Sequence, residues 1–191
     1  MRFFISLLIL STVLLTVEAN CEDKVLMLIP KRNFRDEELF VPKEIIENSG
    51  YKIELVSSSK GSCCGLLGHK VEAAKSLDEV NLLDYKAVVF IGGIGAKEYW
   101  HDKDAISLAK DAFKSGVVLA AICIAPVTLA NAGVLEGKRA TVSEVFKDKI
   151  IDKGAIYTGS GIEVDGNIIT ASGPSSSEGF GYKIAELLKN R

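Results

Sequence analysis

The sequence has little cysteine and less histidine: four Cys and two His in 191 residues. Four thiols are too few to build a small disulfide scaffold, and no Cys/His spacing matches a zinc set, so neither a structural metal nor a cofactor is expected. Charge of one sign is also lacking. Lys and Arg total 23 against 25 Asp and Glu, a net charge of -2, and no basic run gathers that could neutralise a phosphate backbone. Nucleic acid is therefore not an expected partner. No Pro/Gly/Ser-rich linker and no internal repeat divides the chain. What is present, 48% hydrophobic and 25% charged residues, is the balance of one soluble globular domain.

The one long apolar run is at the start. Arg2 supplies a positive beginning, Phe3 to Val17 are apolar, and Val17-Glu18-Ala19 places modest or small residues where a signal peptidase reads. Residues 1–19 read as an export signal, with 20–191 as a single exported domain. The alternative is a membrane anchor through residues 3–17, although fifteen residues fall short of the roughly 20 that span a bilayer core. Cys21 lies just past the cut. A lipid anchor there lacks the usual small residue before the cysteine, because that residue is Asn20.

From Lys24 onward, short β-branched runs alternate with helix-period stretches. Lys24 to Pro30 and Val117 to Cys123 are nearly continuous apolar runs, as expected of strands buried on both faces. Tyr51 to Val56, Ala87 to Gly93 and a short Arg139 to Ser143 complete the strands, and Ile156 to Ile169 reads as a strand pair turning at Asp165-Gly166. Helices are expected over Asp36 to Ser49, Asp102 to Ser115, Pro126 to Ala132, Glu144 to Lys153 and Ser176 to Lys189. Ser57 to Leu77, with Gly61, Gly65 and Gly68, reads as a hairpin or loop excursion. Repeated βα units predict an α/β fold, a doubly wound, mostly parallel sheet with helices on both faces. Sites in such sheets form beyond the carboxyl ends of the strands.

Two turns sit there. Ala121-Ile-Cys-Ile-Ala125 followed by Pro126 places Cys123 between a buried strand and a helix, the context of a nucleophile elbow, and the flanking alanines let so sharp a turn close. Unpaired N–H groups at the helix start would favour the thiolate. The plain alternative is a small core residue. Gly92-Gly93 is the second turn, where backbone amides can approach a bound oxygen, or which is simply a turn.

These residues, together with Phe34-Arg-Asp-Glu-Glu-Leu-Phe-Val-Pro42 and Ala132-Gly-Val-Leu-Glu-Gly137, resemble the ThiJ/PfpI family in order and spacing. The resemblance runs from Lys24 to the last helix. It implies the fold of class I glutamine amidotransferases, a flavodoxin-like sandwich, and a membership of PfpI-type peptidases, glyoxalases, deglycases, chaperones and redox sensors. Carried over by motif, Cys123 is the nucleophile, Glu38 the acidic residue after the first strand that points at it, and Gly92, Gly93 and Ile124 the oxyanion-binding backbone. It also implies a homodimer or larger homo-oligomer. Tyr99 and Trp100, in the loop Lys97 to His101, are compatible with either a contact surface or local packing.

The departures matter as much. PfpI-type peptidases carry histidine directly after the cysteine, where this chain has Ile124, and the position of that histidine's partner from a neighbouring subunit falls at Lys97. Glu98, one residue on, and His101 are possible accessory groups. His69, near the glycine-rich excursion, is a weaker candidate. Without a base beside Cys123, amide hydrolysis lacks a proton donor for its leaving amine. Addition of a thiolate to a small reactive carbonyl, or to a protein adduct of one, with Glu38 moving the proton, asks for less. A redox-responsive or chaperone-like protein with an oxidisable cysteine would use the same two residues. Cys63-Cys64 do not suit a mutual bond, because adjacent α-carbons lie 3.8 Å apart and a disulfide usually needs at least about 4.4 Å. They are free thiols, or partners of Cys21 or of a second chain.

Overall fold

The computed structural model describes residues 23–190. In chain order they form β1 (Lys24–Leu28), β2 (Arg32–Phe34), α1 (Asp36–Asn48), β3 (Lys52–Ser57), β4 (Gly61–Gly65), β5 (Lys70–Ala73), β6 (Lys75–Ser76), β7 (Tyr85–Phe90), α2 (Lys103–Ser115), β8 (Val118–Ile122), α3 (Pro126–Asn131), β9 (Arg139–Ala140), α4 (Lys147–Ile151), β10 (Ile156–Tyr157), β11 (Ile162–Asp165), β12 (Ile168–Ala171) and α5 (Ser177–Lys189). The expected export signal and Cys21 lie outside the described residues.

Seven strands make the main sheet in the order β11-β12-β8-β7-β1-β3-β6. All neighbours are parallel except β11, which returns antiparallel on β12 through the turn at Asp165-Gly166. Both faces are covered, which is why β1 and β8 read as unbroken apolar runs. Alternation sends Leu26, Leu28, Val88, Phe90, Leu119 and Ala121 to the face covered by α2 and α3. Val25, Met27, Val89, Ala120 and Ile122 face the opposite way, against Leu39 and Ile46 of α1 and Phe180 and Ile184 of α5. The two outer helices cross closely because Gly181 has no side chain: a Cβ there would stand 2.9 Å from the Pro42 Cα. Helix α2 ends where the sequence says it should. Asp102 accepts from the amides of Asp104 and Ala105 at its start, and Gly116 closes it at a φ of 76°.

Strand order reverses between β1 and β7: the chain leaves β1 toward β3 on one side and returns to β7 on the other. The crevice beyond the carboxyl ends of those strands is where this architecture places ligands.

Three segments differ from expectation. The glycine-rich excursion is a hairpin of β4 and β5, but it is joined by β2 to make a second, three-stranded sheet. Two of the three β2 residues are exposed, so it carries no hydrophobic alternation to reveal it. Ile156 does not pair with the hairpin that follows. Gly159 and Gly161 interrupt the chain, and β10 pairs with β9 while β11 alone pairs with β12. The helix expected over Glu144 to Lys153 is a 3-10 turn at Glu144–Phe146 followed by the short α4.

Candidate active site

Three segments converge at the reversal point: the first turn of α1 brings Glu38, the loop after β7 brings Gly92-Gly93, and the loop after β8 brings Cys123. Cys123 holds a φ of 65°. That left-handed conformation costs a side-chain-bearing residue about 1–3 kcal/mol and persists only where the surroundings enforce it. Here they do. The Cys123 amide donates to the Ala171 carbonyl at 2.8 Å, at the end of β12, and its carbonyl accepts from the Ser143 amide at 2.8 Å. The next carbonyl, that of Ile124, accepts from the Trp100 indole Nε1 at 3.1 Å.

Gly92 and Gly93 are required by crowding. A Cβ on Gly92 would run into Glu38 Oε2 and stand 2.6 Å from the Cys123 Cβ, so the carboxyl and the cysteine face each other across a gap too small for one methyl group. Gly93 has a φ of 93°, and a Cβ on it would stand 2.7 Å from the Phe34 carbonyl carbon. The Gly92 carbonyl accepts from the Arg35 amide at 3.1 Å, which ties this turn to the start of α1.

Glu38 is fully buried, and neither carboxyl oxygen has an aligned hydrogen-bond partner. Burial raises its pKa to about 7; the nearby Cys123 thiol, Arg35 and the Gly92 amide oppose the rise only in part. Cys123 is pushed up to about 12, first by burial and next by the charge of Glu38, against the amides of Gly93 and Ile124. This corrects the expectation that a helix start would simply favour the thiolate. The opposing donors are those two loop amides, and desolvation together with a like charge outweighs them. The two groups titrate as a pair: one proton leaves near neutral pH and the other is held far into alkali. Between those limits one proton and one negative charge are shared by sulfur and carboxyl.

The oxyanion backbone expected from the motif therefore divides. The Gly93 and Ile124 amides favour the thiolate of Cys123, whereas the Gly92 amide favours the carboxylate of Glu38 without an aligned hydrogen bond to it. The accessory candidates are engaged elsewhere. Glu98 Oε1 accepts from the Lys31 amide at 3.0 Å. His101 is exposed and lines a cavity of about 200 Å³ with Trp100, Asn131 and Lys149. Lys97 extends its ammonium group over Trp100 and Phe146, 5.6 Å from each ring. Tyr99 and Trp100 are packed rather than presented as a contact surface: Tyr99 is buried and donates to the Ile29 carbonyl at 2.8 Å. Among the described residues neither Cys63 nor Cys64 forms a disulfide.

Sequence reasoning missed one pairing. Asp36, also buried, accepts from the Leu67 amide and meets His69 Nδ1, each at 2.8 Å. Burial works against its ionisation, but the Leu67 amide and His69 prevail and hold the carboxyl below its usual range. The tip of the β4–β5 hairpin is thereby pinned to the first turn of α1, two residues before Glu38. A separation of 33 residues left no signal of it in the sequence.

The family model described as DJ-1/PfpI matches residues 23–187. The chain belongs to the DJ-1/PfpI family. An uncharacterized protein of Methanocaldococcus jannaschii is 44% identical over 169 residues, 87% of this chain and 82% of that one. A deglycase of Pyrococcus horikoshii is 30% identical over 166 residues, 87% of this chain and 99% of its own length. Among solved structures, a ThiJ/PfpI domain protein from Brachyspira murdochii superposes with a TM-score of 0.86 at 33% identity, covering 88% of this chain and 97% of that one. Membership accounts for the mostly parallel sheet with helices on both faces. Relatives named as deglycases, and one of Bacillus subtilis named a putative cysteine protease at 28% identity, support enzymatic activity in general.

Proposed function

We propose that the protein is a cysteine-dependent enzyme acting on small reactive carbonyls or their adducts, with Cys123 as nucleophile and Glu38 as proton carrier. The observation that carries this reading is the buried Glu38–Cys123 pair at a strained elbow, with two amides that favour the charged sulfur. The deglycase name of the Pyrococcus horikoshii relative points the same way. In the proposed step sulfur bonds to the aldehyde carbon and the proton on Glu38 passes to the carbonyl oxygen, giving a hemithioacetal and a carboxylate. The Gly93 and Ile124 amides favour the charge while it is on sulfur, and the step ends with that charge on the Glu38 carboxylate. With a 2-oxoaldehyde, the carboxylate then takes the proton from the former aldehyde carbon and returns one to the neighbouring carbon. The first carbon is oxidised to a thioester as the second is reduced to an alcohol, and water releases a 2-hydroxy acid and the free thiol.

Peptide hydrolysis fits less well. Ile124, where PfpI-type peptidases have histidine, is buried and offers no proton to a leaving amine. The test is turnover of methylglyoxal by the protein beside its Cys123→Ser form. Lactate formed by the parent and absent with the variant is the expected result; equal inactivity, or equal turnover, overturns the reading. Export through residues 1–19 and assembly into at least a dimer remain proposals from the sequence, checked by the N-terminal residue of the native protein and by its mass in light scattering.

A further inference from the structure

We propose that Asp36 and His69 are positioning residues for Glu38: through them the tip of the β4–β5 hairpin presses the first turn of α1 toward the elbow and fixes the gap between carboxyl and thiol. This deepens the reading of Cys123 and Glu38 as the reacting pair and rests on it. Glu38 is not held by its own side chain. Neither carboxyl oxygen has an aligned hydrogen-bond partner, so its place is set by packing and by the backbone that carries it. That backbone is the first turn of α1, to which Arg35 contributes no side-chain cap. Two contacts fasten the turn from outside. The Arg35 amide donates to the Gly92 carbonyl at 3.1 Å, on the side of the elbow. The Asp36 carboxyl, 2% exposed, takes the Leu67 amide on Oδ2 and His69 Nδ1 on Oδ1, each at 2.8 Å.

The second fastening acts from behind. Successive residues turn by about 100° round a helix, so Glu38 stands about 200° from Asp36, and Asp36 and Phe40 share a face. The hairpin packs on that face. A Cβ on Gly65 would stand 2.6 Å from the Asp36 Cγ, so the tip can approach only because a glycine is there. The Gly65 amide donates to the His69 carbonyl at 2.8 Å and the Leu66 amide to the Phe34 carbonyl at 2.9 Å, which closes the tip and lays it on the residues leading into α1. The His69 ring meets Phe40 edge to face, with centroids 5.4 Å apart, so His69 reaches α1 by a hydrogen bond and by a ring contact. On the far side the tolerance is small, because the space between Glu38 and Cys123 does not admit one methyl group. Displacement of reacting groups by about 1 Å can cost about 100-fold in rate, and a wider gap lets water reach the carboxyl. Arg35 and Glu37 are the other charged groups that bear on Glu38. The first favours its carboxylate, the second opposes it, and neither bonds its oxygens.

The experiment uses the full chain and reads Cys123 directly, so it stands even if the carbonyl chemistry fails. Iodoacetamide labelling against pH is followed by peptide mass in the parent, Asp36→Ala, Asp36→Asn and His69→Ala. Labelling of the parent should rise through about pH 7. With Asp36→Ala or His69→Ala the first turn relaxes, water reaches Glu38 and its proton leaves nearer the ordinary 4.5, so the rise should begin about one pH unit lower. Asparagine keeps an oxygen for the Leu67 amide and an NH2 for the other tautomer of His69, so Asp36→Asn should restore the parent profile. In methylglyoxal turnover the two alanine variants should lose about tenfold in kcat, with KM within about twofold of the parent. A labelling midpoint unchanged or raised in the alanine variants, even with stability lost in urea, would reduce the pair to a structural pin and overturn the proposal. So would an Asp36→Asn profile that stays with the alanine variants while hydrogen exchange at Leu67 remains as slow as in the parent. The His69 side chain is 62% exposed, so His69→Ala decides the matter if Asp36→Ala does not fold. A parent inactive toward methylglyoxal would overturn the carbonyl reading alone, since labelling still decides the positioning.

Discussion

Replacing Glu38 by Gln should make the protein more stable, and more so as pH rises. In the unfolded chain this carboxyl releases its proton near 4.5, whereas in the native protein burial delays release to about 7. Between those values the native state binds more protons than the unfolded state, so the contribution of this group to stability is fully present below about pH 4.5 and is lost as pH climbs through about 7. At pH 8 the ionised, desolvated carboxylate costs about 3 kcal/mol, and at pH 5 about 1 kcal/mol or less. Glutamine keeps the shape and never ionises, so its advantage over the parent should grow by about 2 kcal/mol between those pH values. Urea unfolding of reduced protein at pH 5 and pH 8 measures this, provided the urea dependence is the same for both proteins. A stability difference that does not change with pH would mean that Glu38 is not a buried, reluctant carboxylate. The proton-sharing account of the site would fall with it.

Other consequences are separable. Alkylation of Cys123 by iodoacetamide, followed by peptide mass, should rise through about pH 7 as the first proton leaves the pair. In Glu38→Gln that rise should move to a single midpoint below the value of about 12 held by Cys123 in the parent, because the like charge is gone; an unchanged profile would uncouple the two residues. Gly92→Ala drives a methyl group between Glu38 and Cys123, and should cost about 1–3 kcal/mol in urea and at least about 100-fold in kcat/KM for the proposed turnover. Activity within about threefold of the parent would show that the gap is not the reaction site. Asp36→Ala leaves the Leu67 amide and His69 without their shared acceptor, so about 1–3 kcal/mol of stability should be lost, with faster hydrogen exchange at Leu67; exchange as slow as in the parent would contradict the pin.

What the sequence made legible was whatever depends on neighbours in the chain. β1 and β8 could be read because burial on both faces writes a continuous apolar run, and the ends of α2 because Asp102 and Gly116 act within a few residues. The elbow was legible for the same reason: a cysteine with alanines two positions away on either side, after such a strand and before proline, describes its own turn. Glu37 and Glu38 mark the limit. They are identical by composition and adjacent in one helical turn, yet one side chain is 40% exposed and the other fully buried, and only the family motif distinguished them. The sign of the electrostatics was beyond reach for a deeper reason. Whether Cys123 favours thiolate or thiol depends on two amides, one of them 30 residues away on another loop, set against desolvation by a core assembled from distant segments and a carboxyl 85 residues away. A local rule about helix starts names one of those contributions and omits the larger ones. Position in the sheet follows from pattern, but reactivity follows from what the completed fold excludes from that position, and here it excludes water from a carboxyl and a thiol that must then divide one proton.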